Sequence, residues 1–388
     1  MQAVILAAGK GTRIYPFSIE KPKPLIEVAN KPVLEHNLDQ MLGLIDEVII
    51  IVGYKKDMIM DRIGDHYHNI KIKYVVQEKT LGTGHAVAMA EQEVSGKFLV
   101  INGDDLFSRK DMENLLKFDN CILVQEKENV SAFGVIEAKD GKVVNIIEKP
   151  VKGQEPSKLV NVGMYAFTPE IFQILKTLPK SERGEYEITD AVRVLAQQGK
   201  MFYQELKGFW IPVGYPWHIL EATETLLEEE EGSSIKGKIE EGVTIDGSVD
   251  IGKGSLIKSG TILKGNIIIG ENCVVGENCL ITGYTAIGNN SEVSQGTGLD
   301  NVIVGSGAKI GKKCMVKDSV LGENVELSPG VRIENIGNCS GKPCTVKVKL
   351  KNKTLDSGKK RLGAFVADNC KVKGKLEPGE CRENGNCN

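Results

Sequence analysis

The sequence predicts an α/β domain built on a parallel sheet, joined to a parallel β-helix of hexapeptide repeats. Two patterns lead there: strand-length apolar runs alternating with helical stretches before residue 230, and a six-residue apolar period after residue 240. A third observation supports the second. The 388 residues include 43 glycines but only 5% aromatics, with the glycines concentrated where the period runs. Globular proteins average about 7% glycine, so the excess calls for a long series of tight turns.

The α/β part is read from the apolar runs at residues 4–8, 48–52, 73–76, 98–101 and 122–124, which alternate with helical patterns as βαβ units do. The first run, 3–8, is too short for an export signal of about 7–15 apolar residues or a membrane helix of about 20. A net charge of −3 gives no reason to expect nucleic acid or an anionic membrane. Nine cysteines, an odd number behind no export signal, suit a reduced, cytoplasmic chain. Residues 218–231 are expected to be helical, their acidic end at 228–231 being either a solvated terminus or an acidic patch. Gly232-Ser233-Ser234 breaks this helix and sets the domain boundary, giving residues 1–231 and 232–338.

The β-helix part rests on ten apolar residues spaced by six: Ile245, Ile251, Ile257, Leu263, Ile269, Val275, Ile281, Ile287, Val293 and Leu299. The frame slips by one to Val304, Ile310 and Val316, and again to Leu321, Leu327 and Ile333. Glycine follows the apolar position at 252, 270, 276, 288, 305, 311 and 322, and small residues such as Ser255, Thr261, Cys273, Cys279 and Cys314 take the fourth place after it. Each hexapeptide should make one short strand and a turn with the apolar side chain inward. Three per coil gives about five coils, roughly 24 Å of stack. The remaining segment, 339–388, holds 12 Lys/Arg against 5 Asp/Glu. It is expected to be part of the β-helix or packed on it. Its charge either counters an acidic body or meets a phosphorylated ligand. Residues 345–350 alternate apolar side chains with lysine like a half-exposed strand.

The chemistry begins where the first strand runs into Leu6-Ala7-Ala8-Gly9-Lys10-Gly11-Thr12-Arg13. A strand entering a glycine loop is where an α/β sheet binds phosphate, because glycines let backbone N–H groups approach the anion. The loop is neither a Walker A sequence nor the dinucleotide fingerprint, since Gly11 follows Lys10 and Ile14 stands where a third glycine would fall. In Lys21-Pro22-Lys23-Pro24-Leu25 two prolines aim Lys23 rigidly, as a lysine that neutralises phosphate charge in a transition state requires. The apolar strand at 98–101 ends in Asn102-Gly103-Asp104, which puts an acid suited to Mg²⁺ at the carboxyl end of a sheet strand.

With Gln77, Leu81-Gly82-Thr83-Gly84-His85-Ala86, Glu148-Lys149-Pro150 and Asn161-Val162-Gly163, these motifs stand in an order that resembles the sugar-1-phosphate nucleotidylyltransferases over about residues 1–230. The resemblance implies a Rossmann-like nucleotidyltransferase domain and a Mg²⁺-dependent in-line displacement. In that reaction a sugar 1-phosphate oxygen attacks the α-phosphorus of a pyrimidine NTP and pyrophosphate leaves. It further implies that Ala7, Ala8, Gly9, Gly11 and Thr12 contact the nucleotide, and that Arg13 and Lys23 act on its phosphates. Gln77 and Gly82 would read the base, Asp104 would bind Mg²⁺, and Gly134, Glu148, Lys149 and Asn161 would hold the sugar phosphate. Gly134 could instead be a turn glycine and Glu148 a surface acid, while His85 serves a structural or sugar-loop role. The Leu81 to Ala86 run looks like uridylyltransferases acting on N-acetylglucosamine 1-phosphate; glucose-1-phosphate thymidylyl- or uridylyltransferase is the alternative.

The two-part plan also resembles archaeal bifunctional enzymes that make UDP-N-acetylglucosamine, which implies a left-handed β-helix and a trimer. In those enzymes a β-helix histidine is the base for acetyl transfer from acetyl-CoA. Here the five histidines are His36, His66, His68, His85 and His218, and alignment puts Lys312 at the histidine and Met315 at a tyrosine, while Asn335 matches a retained asparagine. Acetyl transfer is therefore expected to be lost and the β-helix to drive oligomerisation; retention of both activities is the other reading. Relatives also carry a second metal-binding Asp or Asn after a tryptophan, where this chain has Trp210-Ile211-Pro212. That departure and the missing histidine leave open a non-catalytic nucleotide-sugar-binding scaffold, which intact Arg13, Lys23 and Asp104 argue against. Cys339, Cys344, Cys370, Cys381 and Cys387 crowd the tail as reduced thiols, a zinc site or disulfides.

Overall fold

All five apolar runs become strands of one ten-stranded sheet in the computed structural model, which describes residues 1–229, 232–339 and 342–384. The strands Gln2–Ala7, Glu47–Val52, Ile70–Val76 and Phe98–Asn102 pair in parallel, with Gln2–Ala7 between Glu47–Val52 and Phe98–Asn102. They are nearly continuous in apolar residues because helices cover both faces. The sheet is not parallel throughout, however. Leu159–Phe167 runs antiparallel to both Phe98–Asn102 and Cys121–Glu126. The strands Gly134–Lys139 and Lys142–Glu148 form a hairpin, joined through Asp140 and Gly141, both at positive φ. A two-residue connection cannot bring a strand back parallel, so this half departs from the expected all-parallel order.

The period of six is equally visible. Leu263, Ile281, Leu299, Val316, Ile333 and Leu376 stand in parallel register from coil to coil. Every expected apolar position from Ile251 to Ile333 is buried. Ile245 is 37% exposed, since its strand Thr244–Asp246 begins the stack and pairs on one side only. Small-residue hydroxyls bridge coils inside, as where Ser255 Oγ donates to Gly270 O (2.6 Å) and accepts from Cys273 N (2.8 Å). Cys273, Cys279 and Cys314 are buried free thiols, the expected filler. This is the pairing of a parallel β-helix.

Seven strands stack on a face, more than the five coils expected. Six strands of each stack lie between Lys238 and Ile333, and the seventh comes from the tail. Phe365–Val366 pairs with Val320 and Leu321, Lys371–Val372 with the strand Glu326–Leu327, and Lys375–Leu376 with Arg332–Ile333. Ala364 N bonds Ser319 Oγ across 45 residues, where other coils are spaced by 17 or 18. The excursion between them hides the return from any fixed-period reading. It includes an antiparallel hairpin, Lys347–Leu350 with Lys353–Asp356, that buries Val346, Val348 and Leu350 and exposes the intervening lysines.

By internal packing the chain forms two compact units. The first contains Met1–Lys10, Pro22–Leu25 and Val33–Pro212; the second contains Gly11–Lys21, Ile26–Pro32 and everything from Val213. The helix His218–Glu229 thus packs with the β-helix, although the sequence signal for a boundary comes after it. Asn266 Nδ2 donates to Leu227 O (3.0 Å), Tyr284 OH to Glu228 (2.7 Å), and Lys359 pairs with Glu221 (2.7 Å). Glu228 and Glu229 at the acidic helix end are exposed, as a solvated terminus requires, with Glu228 also accepting from Tyr284; Glu230 and Glu231 lie outside the described residues. The segment from Gly11 to Lys21 is anchored by Lys21, whose Nζ lies 2.5 Å from Glu323 Oε1 and 3.2 Å from Asp368 Oδ2. No helix among the described residues is long and apolar enough to cross a membrane.

Not all tail cysteines are reduced as expected. Cys370 and Cys381 are in no disulfide, whereas Cys344 is disulfide-bonded. Cys387 and the side chain of Cys339 lie outside the described residues.

Candidate active site

The carboxyl ends of Gln2–Ala7, Glu47–Val52 and Ile70–Val76 converge on an open cleft of about 530 Å³ in the first unit. Ala8, Lys10 and Gln77, all from sequence-selected segments, line it together with Gly53, Tyr54 and Lys56. The last three were missed. The signal was present, since Gly53-Tyr54 follows an apolar strand just as Ala8-Gly9 does. Gly53 cannot be replaced freely: a Cβ there would stand 2.9 Å from Ala8 O and 3.1 Å from Gln77 O.

Gln77 is 4% exposed, and its Nε2 lies 2.8 Å from His85 Nδ1. An amide nitrogen only donates, so Nδ1 is the acceptor and the ring is neutral. Burial lowers the His85 pKa, which favours the same form. His85 therefore fixes the face that Gln77 presents, a structural duty as expected. Gly82, at φ 111, lies so near Tyr186 that a Cβ would be 2.5 Å from its carbonyl oxygen. The loop is held there by Tyr186 N to Leu81 O and Gly84 N to Tyr186 O, both 2.8 Å.

Lys23 sits in a short turn closed by Leu25 N to Pro22 O (2.9 Å) and is 5% exposed. Its Nζ donates to Asp104 Oδ2 at 2.5 Å. The neighbouring Asp105 points elsewhere: it is buried and accepts from Trp210 Nε1 (3.2 Å). Burial, reinforced by the charge of Asp104, pushes the Asp105 carboxyl up to about 7. Pro212 pairs directly with Asp105 in the two-stranded sheet. Asp105 is thus a buried partner of Trp210 and does not make up for the missing ligand at Pro212. Among the described residues no three His, Cys, Asp or Glu side chains group to hold a metal. The oxygen donor on offer is Asp104, 38% exposed on its side chain. That suits Mg²⁺, which keeps several waters and takes one or two carboxylates plus substrate phosphates.

The expected sugar residues gather at the other end of the sheet. Gly134 pairs with Glu148 and leaves no room for a side chain, as a Cβ would lie 3.0 Å from Glu148 Oε2. It opens a strand rather than a turn. Glu148 lies 3.6 Å from Lys149 Nζ and 3.7 Å from Arg183 Nη1, and Arg183 also pairs with Glu187 at 3.1 Å. Asn161 is tied by Gly163 N to its Oδ1 (2.9 Å) and by its own Nδ2 to Tyr165 OH (2.7 Å). Gly163, at φ 86, admits Asn102, which a Cβ would approach to 2.1 Å. Beside Gly134 lies Thr189, whose buried Oγ1 has no hydrogen-bond partner among the described residues. Neither it nor Arg183 carried a sequence signal, since each lies outside the recognised motifs.

Gly11, Thr12 and Arg13 belong to the second unit, with Gly11 at φ 59 and Arg13 lying 5.5 Å over the Tyr215 ring. Tyr215 is stacked on Trp217 with centroids 4.7 Å apart.

Residues 2–229 match the nucleotidyl transferase family, and residues 263–355 match the GMPPB C-terminal domain. The bifunctional protein GlmU of Methanococcus maripaludis is 42% identical over 369 residues, covering 95% of this chain and 88% of its own. The UTP–glucose-1-phosphate uridylyltransferase AglF of Haloferax volcanii is 36% identical over 59% of this chain and 98% of its own. Among solved structures, a UDP-glucose pyrophosphorylase complexed with UDP-glucose is similar at TM-score 0.54 and 26% identity, covering 59% of this chain and 99% of that one.

Proposed function

The chain belongs to the nucleotidyl transferase family and is a sugar-1-phosphate nucleotidyltransferase, and from that premise we propose the reaction UTP plus N-acetylglucosamine 1-phosphate to UDP-N-acetylglucosamine and pyrophosphate. The observation that carries the site reading is the buried Lys23 ammonium 2.5 Å from Asp104 Oδ2, at the carboxyl end of the sheet. A lysine with its ordinary hydration removed and its position fixed is suited to charge that develops in a transition state.

In this reading Ala7, Ala8 and Gly9 approach the nucleotide by their backbone, and Gln77, oriented by His85, and Gly82 face the pyrimidine. Lys23 meets the α-phosphate as the sugar phosphate oxygen attacks and the bond to pyrophosphate breaks. Arg13, Gly11 and Thr12 hold the departing phosphates. Gly134, Glu148, Lys149 and Asn161 hold the sugar phosphate, with Arg183 and Thr189 added. Asp104 would hold Mg²⁺, which neutralises charge across the phosphates when bound.

The uracil choice is supported by the names of AglF and of the UDP-glucose pyrophosphorylase. The acetylated sugar is supported by the Leu81 to Ala86 loop and by full-length similarity to GlmU. AglF favours glucose 1-phosphate as the second reading. We read the β-helix as left-handed and trimer-forming, and the enzyme as cytoplasmic. We read its acetyl transfer as lost, because no histidine follows His218.

The test is pyrophosphate release with UTP, dTTP, ATP and GTP crossed against glucose, glucosamine and N-acetylglucosamine 1-phosphates. UTP with the N-acetylated sugar is expected to be best, and chelation of Mg²⁺ should stop it. A better rate with glucose 1-phosphate would overturn the sugar assignment, and silence throughout the whole reading. For acetyl transfer, the same protein given acetyl-CoA and glucosamine 1-phosphate is expected to release no free CoA; steady release would show that another base serves.

A further inference from the structure

The basic hairpin that interrupts the β-helix stands beside the Gly11 loop within the second unit. Thr12, Arg13, Tyr215, Leu350, Lys351 and Lys353 line one cavity of about 370 Å³. A cavity of that size lies in the range used for small ligands. The hairpin turn holds Lys351 at φ 52, with its Nζ 5.5 Å from the centre of the Tyr15 ring. Arg13 is likewise laid over an aromatic face, that of Tyr215. Aromatic faces hold cations in place without neutralising them.

Among the described residues none of Arg13, Lys351 and Lys353 has a carboxylate at ion-pair distance. The acids nearby are engaged. Asp356 accepts from Thr345 Oγ1 (2.8 Å) and Gly358 N (2.9 Å). Glu383 takes the Tyr15 hydroxyl, which together with burial pushes that phenol up to about 12. Three cations and a threonine hydroxyl around one cavity form a site for a polyanion.

We propose that the hairpin completes the polyphosphate site, with Lys351 and Lys353 binding the β- and γ-phosphates of the NTP and then the leaving pyrophosphate beside Arg13. The inference rests on reading Gly11 to Arg13 as the triphosphate loop. It gives the tail's positive charge a ligand. The lysines attract substrate and product alike and do not touch the reacting phosphorus, so they are binding residues that act on nucleotide KM.

The test uses the full chain and its best substrate pair. In Lys351→Ala and in Lys351→Ala/Lys353→Ala, the NTP KM and the inhibition constant of inorganic pyrophosphate should rise together, by about three- to fivefold per lysine at low salt. The sugar-phosphate KM and kcat should stay within about twofold of wild type; Lys351→Arg should behave as wild type, and about 0.5 M salt should erase the differences. Lys351→Glu, a second variant at an exposed position, should raise the NTP KM further. If the wild type turns over but the double variant keeps both constants, the inference is overturned and the proposed function stands. If the wild type neither turns over nor binds pyrophosphate, the proposed function fails and takes the inference with it.

Discussion

Lys23→Ala is expected to lower kcat by about a hundred- to a thousandfold, the loss typical when one preorganised charge donor to a transition state is removed. The size follows from placement. Lys23 is 5% exposed in a turn between two prolines, so no water takes over its position without reorganisation. The sugar-phosphate KM should change little, because the charge matters most as the phosphorus is attacked. The removal also leaves Asp104 without its ammonium, but that carboxylate is 38% exposed and solvates itself, so the fold should survive. Circular dichroism separates that from collapse. A kcat within threefold of wild type would show that Lys23 is only a structural partner of Asp104.

Two residues earlier in the same motif, Lys21→Met is expected to have its effect on stability instead. Lys21 pairs with Asp368, whose side chain is 7% exposed, and with Glu323. Breaking a buried pair by removing one partner costs about 3–5 kcal/mol, because the other charge is left uncompensated. Burial alone would lower the Lys21 pKa, but Asp368 and Glu323 outweigh it and hold it above its ordinary value. Burial also raises Asp368, against the pull of Lys21. Without Lys21 the carboxyl must rise further. A raised acid contributes stability that is present at low pH and lost as pH climbs through its folded value. The deficit of Lys21→Met should therefore be largest at neutral pH and shrink on acidification. Urea unfolding across pH measures this, and Lys21→Met/Asp368→Asn should recover part of the loss at pH 7. A deficit equal at pH 5 and pH 8 would refute the account.

The two lysines show where sequence reading stopped. Lys21-Pro22-Lys23-Pro24 looks like one rigid lysine-bearing device, and Lys23 was singled out by the prolines on each side. Nothing local distinguishes a lysine that meets a carboxylate 81 residues away from one that meets a carboxylate 302 residues away. Asp104 and Asp105 divide in the same way. Both follow the sheet strand Phe98–Asn102, yet only the fold buries Asp105 against Trp210. His85 lay in a recognised loop, but its hydrogen bond to Gln77 required the strand end and the helix start to meet. The seventh strand of each stack is hidden from a fixed-period reading, because the excursion after Ile333 breaks the period before Phe365 resumes it.

The sequence by itself determined what is periodic or tied to a neighbour in the chain. These are the sheet strands from their apolar runs and the β-helix core from Ile251 to Ile333. Such features depend on a few adjacent residues, and burial of apolar side chains enforces them wherever the pattern recurs. Only the tertiary structure decided which charges meet. It paired Lys21 with Asp368 and Lys23 with Asp104, and it brought the hairpin lysines beside Arg13. Charge pairing depends on distance in space, and the desolvation that gives it its strength exists only once distant segments have packed.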